Sequence, residues 1–121
     1  MTFSVLIVED NKKLAKTFAN LLISSGYEAL VVSSGKEALE ILSTKNPKIV
    51  LLDIGMLGMD GYQVAKEIRK REEFSETILV ALTGYGQMED KLKAREAGFN
   101  HHIEKPATFD EIRRILNVYD F

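Results

Sequence analysis

Residues 48–53 read Lys-Ile-Val-Leu-Leu-Asp, a run of branched apolar side chains that ends on a carboxylate. A run this short and this apolar predicts a β-strand buried on both faces, as in a parallel sheet that helices cover. An unpaired charge inside such a strand would be costly, so Asp53 is expected at the carboxyl end of the strand. Open α/β sheets bind their ligands in the crevice beyond that end, which makes Asp53 the first candidate functional residue.

Composition limits the classes of protein to consider. The chain has 121 residues, 45% hydrophobic and 28% charged, and these values predict one soluble globular domain over residues 1–121. A net charge of −2 argues against direct nucleic acid binding. No apolar run approaches the ~20 residues that membrane insertion as a helix requires. The sequence contains no cysteine, which fits a reducing, cytoplasmic location.

Four more apolar runs alternate with helical patterns along the chain. Five strands that alternate with five helices predict a doubly wound α/β domain with a parallel sheet and right-handed crossovers. The first, third and fourth strands are the most apolar and are expected at the centre, which favours the strand order 2-1-3-4-5. Besides the run at 48–53, the predicted strands cover residues 3–8, 27–32, 77–82 and 101–104.

Residues of the types that favour helix ends flank the helical patterns. Residues 34–37 and 108–111 have the spacing of capping boxes, and Asp10 or Asn11 can cap the first helix. The fourth helix, residues 87–97, has only a thin apolar stripe, so we expect it to be weakly held. The predicted stripe of that helix consists of Met88, Leu92 and a few alanines, and the predicted buried face of the first helix carries Leu14, Phe18, Leu21 and Leu22.

The carboxyl ends of the predicted strands carry a small set of polar residues. Glu9 and Asp10 follow the first strand and Asp53 ends the third, on the two sides of the predicted switch point. Thr83 and Lys105 follow the fourth and fifth strands at the same edge. Two carboxylates ~4 Å apart repel by about 4 kcal/mol at an effective dielectric of ~20. Either one of them is protonated or they share a cation, and Mg²⁺ suits such oxygen ligands.

This set of residues suits phosphoryl transfer. An ionised aspartate can itself attack phosphorus and form an aspartyl phosphate. A bound Mg²⁺, the ammonium group of Lys105 and the hydroxyl group of Thr83 would surround the transferred group with electrophiles. Taken singly, Asp53 and Lys105 are more simply read as solvated charges, and Asp10 as a helix cap. The meeting of five such residues at one edge favours the functional interpretation.

The pattern resembles the receiver domain of two-component response regulators. The resemblance covers nearly the whole chain and implies a flavodoxin-like (βα)5 fold. The segments at residues 81–86 and 97–102 look most like the corresponding segments of receivers in hybrid histidine kinases. The chain could be a fragment of such a kinase. The positions that carry the resemblance are Glu9-Asp10, Asp53, Met56, Met59-Asp60-Gly61, Thr83 and Lys105-Pro106.

The resemblance implies a role for each site residue. Asp53 would be the phospho-acceptor. Lys105 would contact the phosphoryl oxygens, and Thr83 would move to hydrogen-bond them after transfer. A cis peptide bond before Pro106 is frequent in such domains. The implied Mg²⁺ ligands are Glu9, Asp10, Asp53 and the backbone carbonyl of Gly55.

The implied partner is a histidine kinase or a histidine phosphotransfer domain that donates the phosphoryl group. The chain would be a signalling switch, not an enzyme with a separate substrate, and it would shift the face made by helix four and strand five. A homodimer through helix four, strand five and helix five is a further expectation. Two positions depart from the family pattern: Leu57 stands where proline is common, and His102 occupies the place of the switch aromatic residue.

Three alternatives stay open. A Mg²⁺-dependent phosphatase acting through an aspartyl phosphate would need a second acid two residues after Asp53, where Gly55 stands. A flavin mononucleotide binder would need a phosphate-cradling loop after the first strand, where this chain has two acids. A phosphorylation-independent interaction module of the same fold would not bind Mg²⁺. A metal site at His101 and His102 is disfavoured, because adjacent strand residues point to opposite faces.

Overall fold

Within residues 3–56, 60–84 and 88–119, which the computed structural model describes, five strands alternate with five helices. A short 3-10 helix, Glu72–Phe74, follows the third helix and was not predicted. The strands are β1 (Ser4–Val8), β2 (Glu28–Val32), β3 (Ile49–Asp53), β4 (Ile78–Thr83) and β5 (His101–Glu104). The helices are α1 (Lys12–Ser24), α2 (Gly35–Lys45), α3 (Gly61–Arg69), α4 (Met88–Ala97) and α5 (Phe109–Leu116).

All five strands pair in parallel in the order β2-β1-β3-β4-β5, which confirms the predicted doubly wound α/β fold. Every residue of β3 is buried, whereas β2 at the edge is partly exposed. The continuous apolar runs therefore mark the central strands, because helices cover both faces there. Four observed strands, β1 to β4, begin one residue later than predicted, and β4 also ends one residue later, at Thr83.

Two hydrophobic cores lie on the two faces of the sheet. One core joins alternate strand residues to α1 and α5, and it includes Phe18 and Ile112. The other joins the opposite strand faces to α2, α3 and α4, and it includes Leu42 and Ile68. Because β1, β3 and β4 each contribute buried side chains to both cores, the positions of their ends are fixed from both faces of the sheet. None of the helices in the described part of the chain has the length and apolar character that a bilayer crossing requires.

The predicted helix faces were partly wrong. Leu21 of α1 is 39% exposed, and Ala15 and Ala19 lie on the buried face instead. Leu92 of α4 is 51% exposed, while Ala94 and Ala97 are buried. In both helices the small alanines face the sheet and allow the helix to approach it closely. The leucines that fit the same helical spacing lie at the exposed margin of the helix. The side chain of Met88 lies outside the described residues.

The helix caps follow the predictions with one difference. Asn11 caps α1 by accepting a hydrogen bond from the N–H of Leu14 at 3.2 Å. The capping box at residues 108–111 is complete. At residues 34–37 the side chain of Ser34 accepts from the N–H of Glu37, but the Glu37 carboxylate accepts from serine hydroxyls and not from the backbone. That box is therefore only half formed.

Arg69, in the last turn of α3, joins three segments of the chain. Its guanidinium donates to the carbonyl oxygens of Gly98 at 2.9 Å and Phe74 at 3.0 Å. It also donates to Oδ1 of Asn100 at 2.8 Å, and the same oxygen accepts from the N–H of Leu79. Gly98 directly follows α4, so this side chain secures the carboxyl end of α4. No sequence pattern pointed to this network.

Candidate functional site

Three carboxylates meet at the carboxyl ends of β1 and β3. Val8, the last residue of β1, pairs with Leu52, so the residues that follow in the two strands lie side by side. Glu9, Asp10 and Asp53 each offer a carboxylate oxygen within 4.8 Å of the other two. Glu9 and Asp53 are buried, whereas Asp10 is exposed. The predicted acidic cluster is therefore formed, with Asp10 on its solvent side.

Two donors hold the carboxylate of Asp53. Nζ of Lys105 donates to Oδ1 of Asp53 at 2.5 Å, and the N–H of Gly55 donates to the same oxygen at 3.0 Å. The backbone N–H of Lys105 donates to the carbonyl oxygen of Thr83 at 2.7 Å, which brings the lysine to this edge. The Lys105–Pro106 peptide bond is cis, as the resemblance implied. An ammonium group and a backbone amide on one oxygen both favour the ionised form of Asp53.

The two buried acids have opposite pKa shifts. Burial raises the pKa of Glu9 from 4.5 to about 8, and a hydrogen bond with Asp53 and the negative charge of Asp53 add to the rise. Burial acts in the same direction on Asp53, but hydrogen bonds from Glu9, Lys105 and a backbone N–H outweigh it and lower the pKa of Asp53. Without a metal ion, the site at neutral pH therefore keeps the proton on Glu9 and the negative charge on Asp53.

Two buried side-chain atoms at this edge have no hydrogen-bond partner among the described residues. They are Oε2 of Glu9 and Oγ1 of Thr83. Thr83 is the last residue of β4, the strand next to the one that ends on Asp53. A buried polar atom left without a partner costs about 1–3 kcal/mol. Both atoms are therefore available to a group that enters the site.

The acidic cluster fits Mg²⁺. Its donors are carboxylate oxygens, which this cation prefers, and Mg²⁺ commonly uses one or two carboxylates and keeps several waters. Oε2 of Glu9 has no partner within the described chain, and the exposed Asp10 leaves one side open to water. A dication would also offset the repulsion from Asp53, which adds to the effect of burial on the pKa of Glu9.

The start of α3 lies directly against the end of β3. A Cβ atom on Gly61 would lie 2.7 Å from Cα of Ile54 and 2.8 Å from the carbonyl oxygen of Asp53, so only glycine fits there. Asp60 caps the helix in a complete capping box with Gln63. Asp60 and Gly61 carry part of the family resemblance in the sequence, which did not reveal this close approach. Leu57, whose place in the loop departs from the family pattern, lies outside the described residues.

Comparison with known protein families decides the family of this chain. The family model described as the response regulator receiver domain matches residues 5–117. The chain belongs to the response regulator receiver domain family. Members of this family are phosphoryl-accepting signalling switches of two-component systems, they interact with histidine kinases or phosphotransfer partners, and magnesium is typical of them.

Similar receivers cover almost the whole chain. The chain is 33% identical to the polar-differentiation response regulator DivK of Brucella ovis, over 98% of this chain and 97% of the relative. A response regulator structure from Chloroflexus aurantiacus is 29% identical, with a TM-score of 0.89 and 98% of both chains covered. The receiver domain of the sensor histidine kinase PA1611 from Pseudomonas aeruginosa is 28% identical, with a TM-score of 0.87 and 98% of both chains covered. That structure is described with a magnesium ion coordinated in its active site cleft.

The two histidines of this receiver have different surroundings. His101 is half-buried and shares a hydrogen bond of 2.5 Å between its Nε2 and the hydroxyl group of Tyr119. Burial lowers the pKa of His101, and the nearby charge of His102 adds to the shift. His102, which the resemblance places at the position of the switch aromatic residue, is exposed. The residue that occupies this position is therefore already at the surface.

Proposed function

We propose that this receiver accepts a phosphoryl group on Asp53 from a phosphohistidine of a histidine kinase or a histidine phosphotransfer domain. The observation that carries the proposal is the contact between Oδ1 of Asp53 and Nζ of Lys105 beside the buried acid Glu9. A buried aspartate with a lowered pKa is kept as a nucleophile, because its neighbours favour the ionised form.

Mg²⁺ is part of this proposal. The carboxylates of Glu9, Asp10 and Asp53 would hold the ion, with the backbone carbonyl of Gly55 as a further ligand. When bound, the ion supplies positive charge that neutralises the carboxylates and the phosphoryl oxygens. The raised pKa of Glu9 means that the bare site resists full ionisation, so metal binding and loss of this proton are coupled.

For the transfer itself the protein has mainly to position the reacting groups and to neutralise the charge on the phosphoryl oxygens. An ionised oxygen of Asp53 attacks phosphorus, the new P–O bond forms as the P–N bond of the donor breaks, and the donor imidazole keeps the electron pair of that bond. Lys105 already lies beside Oδ1 of Asp53 and stays to contact the phosphoryl oxygens. No separate substrate is turned over, so the chain acts as a switch and not as an enzyme.

Thr83 would convert phosphorylation into a change of shape. Its buried Oγ1 has no hydrogen-bond partner among the described residues and can donate to a phosphoryl oxygen. The new group adds about −1.5 to −2 of charge, which strengthens this bond. Movement of Thr83 would be passed to Gly84 and α4, and the face of α4 and β5 would change with it.

Several wider expectations belong to the same proposal. We place the receiver in the cytoplasm, where its kinase partner would present the phosphohistidine. We further expect the receiver to form a homodimer through α4, β5 and α5 and to originate from a hybrid histidine kinase. The proposal includes neither direct nucleic acid binding nor insertion into a membrane.

The test is treatment with a small phosphodonor and Mg²⁺, followed by measurement of the intact mass. The wild type should gain one phosphoryl group as an acyl phosphate that hydroxylamine removes. Asp53→Asn should gain nothing, and the matched control Asp110→Asn, an exposed acid in the first turn of α5, should react like the wild type. An equal gain on Asp53→Asn would refute the proposal.

The same experiment separates the alternatives. A phosphorylation-independent interaction module would show no mass gain, and Mg²⁺ would leave its chemical shifts unchanged. A phosphatase would turn over a small phosphate ester many times per chain. A flavin binder would be coloured when purified. The proposal expects a colourless protein whose amide resonances near residues 9, 10 and 53 move on addition of Mg²⁺.

A further inference from the structure

A groove of about 380 Å³ runs along one edge of the sheet, between α1 and β2. Side chains one helical turn apart on α1 form one wall, and the end of β2 forms the other. The N–H of Glu9 donates to the carbonyl oxygen of Val32 at 3.1 Å, which holds the β2 wall against the acidic cluster. The proposed phosphoryl transfer uses only Glu9 among the residues of the groove. Its principal lining residues are Glu9, Lys12, Lys16, Ala19, Val31 and Val32.

The groove has the size and the apolar walls of a small-molecule site. Its volume lies within the roughly 300–1,000 Å³ that such sites usually enclose. Ala19 and Val32 are buried, and Val31 is 45% exposed on the edge strand. A valine gains from burial, so a ligand that covers Val31 would remove apolar surface from water. No aromatic side chain of a described residue lines the groove, which favours an aliphatic chain over a planar ring.

Two cations without counter-charges lie along the α1 wall. Lys12 and Lys16 are exposed, and neither makes an ion pair or a hydrogen bond to any residue in the described ranges. Both α1 and α2 begin at this edge of the sheet, so the positive ends of two helix dipoles lie near the groove. The α1 wall therefore favours an anionic group beside the two lysines.

The acidic residues of the groove are already engaged. The carboxylate of Glu37 accepts hydrogen bonds from the hydroxyl groups of Ser33 at 3.0 Å and Ser34 at 3.1 Å. Glu9 is 4% exposed and shares a hydrogen bond with Asp53. Neither acid pairs with a lysine of the α1 wall, so the charge that remains for a ligand is positive.

We propose that the groove between α1 and β2 binds a small aliphatic carboxylate. The carboxylate of the ligand pairs with Lys12 and Lys16, and its hydrocarbon chain lies against Val31 and the rest of the aliphatic wall. Glu9 lines both the groove and the acidic cluster, so a bound ligand lies next to the phosphorylation site. The proposal goes beyond the proposed function and does not rest on it, because phosphoryl transfer needs no such ligand.

A titration of the full chain with hexanoate tests the site. Hexanoate should give saturable shifts of the amide resonances at residues 12–19 and 31–33, and its binding should weaken as salt rises. Acetate carries the same charge without the chain, and hexylammonium carries the same chain with the opposite charge. Neither should give these shifts at the same concentration. Absence of saturation by hexanoate, shifts that map elsewhere, or equal shifts with either control compound would overturn the proposal.

Removal of the two lysine charges should weaken hexanoate binding. The double variant Lys12→Gln with Lys16→Gln loses two exposed ion pairs to the ligand, so we expect the dissociation constant to rise about fivefold or more. Lys13→Gln is the matched control, because Lys13 is exposed on the same helix but does not line the groove. An unchanged affinity in the double variant, or an equal loss in Lys13→Gln, would contradict the site.

A change at Val31 tests the apolar wall. Val31→Asp should abolish the hexanoate shifts, because it places a charge where the hydrocarbon chain lies and repels the carboxylate. Val118→Asp is the matched control, since Val118 is 71% exposed and does not line the groove. Circular dichroism checks that both variants fold. If Val31→Asp does not fold, Val31→Ala replaces it and should bind hexanoate more weakly. Wild-type affinity in the folded Val31 variant would overturn the proposal.

Sedimentation separates a small ligand from a second copy of the chain. Without hexanoate, the wild type and the Lys12→Gln, Lys16→Gln variant should have the same mass, because the proposed occupant is not a protein. Self-association of the wild type that this variant loses would assign the groove to a second copy and overturn the proposal.

The ligand test and the phosphorylation test fail independently. The hexanoate titration contains neither phosphodonor nor Mg²⁺, and Asp53→Asn should bind hexanoate as the wild type does. Absence of hexanoate binding with a normal mass gain on Asp53 overturns the ligand site alone. Hexanoate binding without any mass gain supports the ligand site and refutes only the phosphorylation proposal.

Discussion

Nζ of Lys105 lies 2.5 Å from Oδ1 of Asp53. Asp53 ends β3 and Lys105 follows β5, and β4 lies between these two strands in the sheet. The lysine side chain is 34% exposed and the aspartate side chain only 4%. A charge pair with one member withdrawn from water is stronger than a surface pair, because solvent screens it less. This contact ties the edge of the sheet to its centre and keeps Asp53 ionised.

Removal of the lysine charge should slow phosphorylation. Lys105→Gln loses a charge-assisted hydrogen bond worth about 1.5–3 kcal/mol, which corresponds to about 10- to 100-fold in rate if it acts in the transition state. The rate of mass gain with a small phosphodonor measures the effect. Lys70→Gln, which removes an exposed lysine paired with Glu67, should react at the wild-type rate. An unchanged rate in Lys105→Gln would remove this residue from the transfer step.

The metal-free protein should lose stability as the pH rises. The pKa of Glu9 is raised to about 8 in the folded chain, against 4.5 when unfolded, so between these values the folded state holds a proton that the unfolded state has lost. The free energy of unfolding then falls by up to about 1.4 kcal/mol per pH unit in this window. Urea unfolding in a chelator at pH 5.5 and pH 7.5 measures it.

Two comparisons isolate Glu9 as the source of this pH dependence. Glu9→Gln keeps the shape of the side chain without a titrating group, so its stability should change less over the same window. Saturating Mg²⁺ should also flatten the wild-type curve, because it favours the ionised carboxylates. The lowered pKa of Asp53 acts only below its ordinary value of 3.8, outside this window. An equal slope in Glu9→Gln would contradict the assignment.

Thr83→Val should separate stability from switching. Valine has the shape of threonine but lacks the hydroxyl, and Oγ1 of Thr83 is buried without a partner among the described residues. We expect the unphosphorylated variant to be more stable by about 1 kcal/mol, since an unsatisfied buried group is removed. Urea unfolding measures this gain.

Phosphorylation should have a smaller structural effect in the same variant. The mass gain on Asp53 should persist, but hydrogen exchange at residues 88–97 should respond less to the phosphodonor than in the wild type. A full response of α4 in Thr83→Val would show that the hydroxyl does not carry the signal.

The sequence predicted best those structural features that a single physical effect determines. The central strands and the acidic cluster were predicted because continuous apolar runs must be covered on both faces, and their carboxyl ends must meet at one edge. Leu21 and Leu92 were placed wrongly, because spacing alone cannot distinguish a buried leucine from one at the margin of a helix face. The Arg69 network and the close approach at Gly61 were missed, because both depend on backbone groups brought near by folding, which leave no local pattern.

Loss of the Arg69 network should destabilise the fold. Arg69→Met removes the donors to Gly98, Phe74 and Asn100 and leaves the carbonyl groups without them, so we expect a loss of about 3 kcal/mol. Arg71→Met is the matched control, because Arg71 makes a side-chain bond of 3.3 Å to the exposed Ser43. It should change stability by about 0.5 kcal/mol or less. Urea midpoints of the two variants measure the difference.

The bond from Arg69 to Gly98 also determines how α4 can travel. The guanidinium holds α4 at the end that Gly98 follows, which is the end away from Thr83. A helix held at one end rotates about that end. A displacement that starts at Thr83 would therefore move the first turn of α4 the most and the residues next to Gly98 the least. Arg69 would then mark the pivot of this motion, and the length of α4 would set how far its first turn moves.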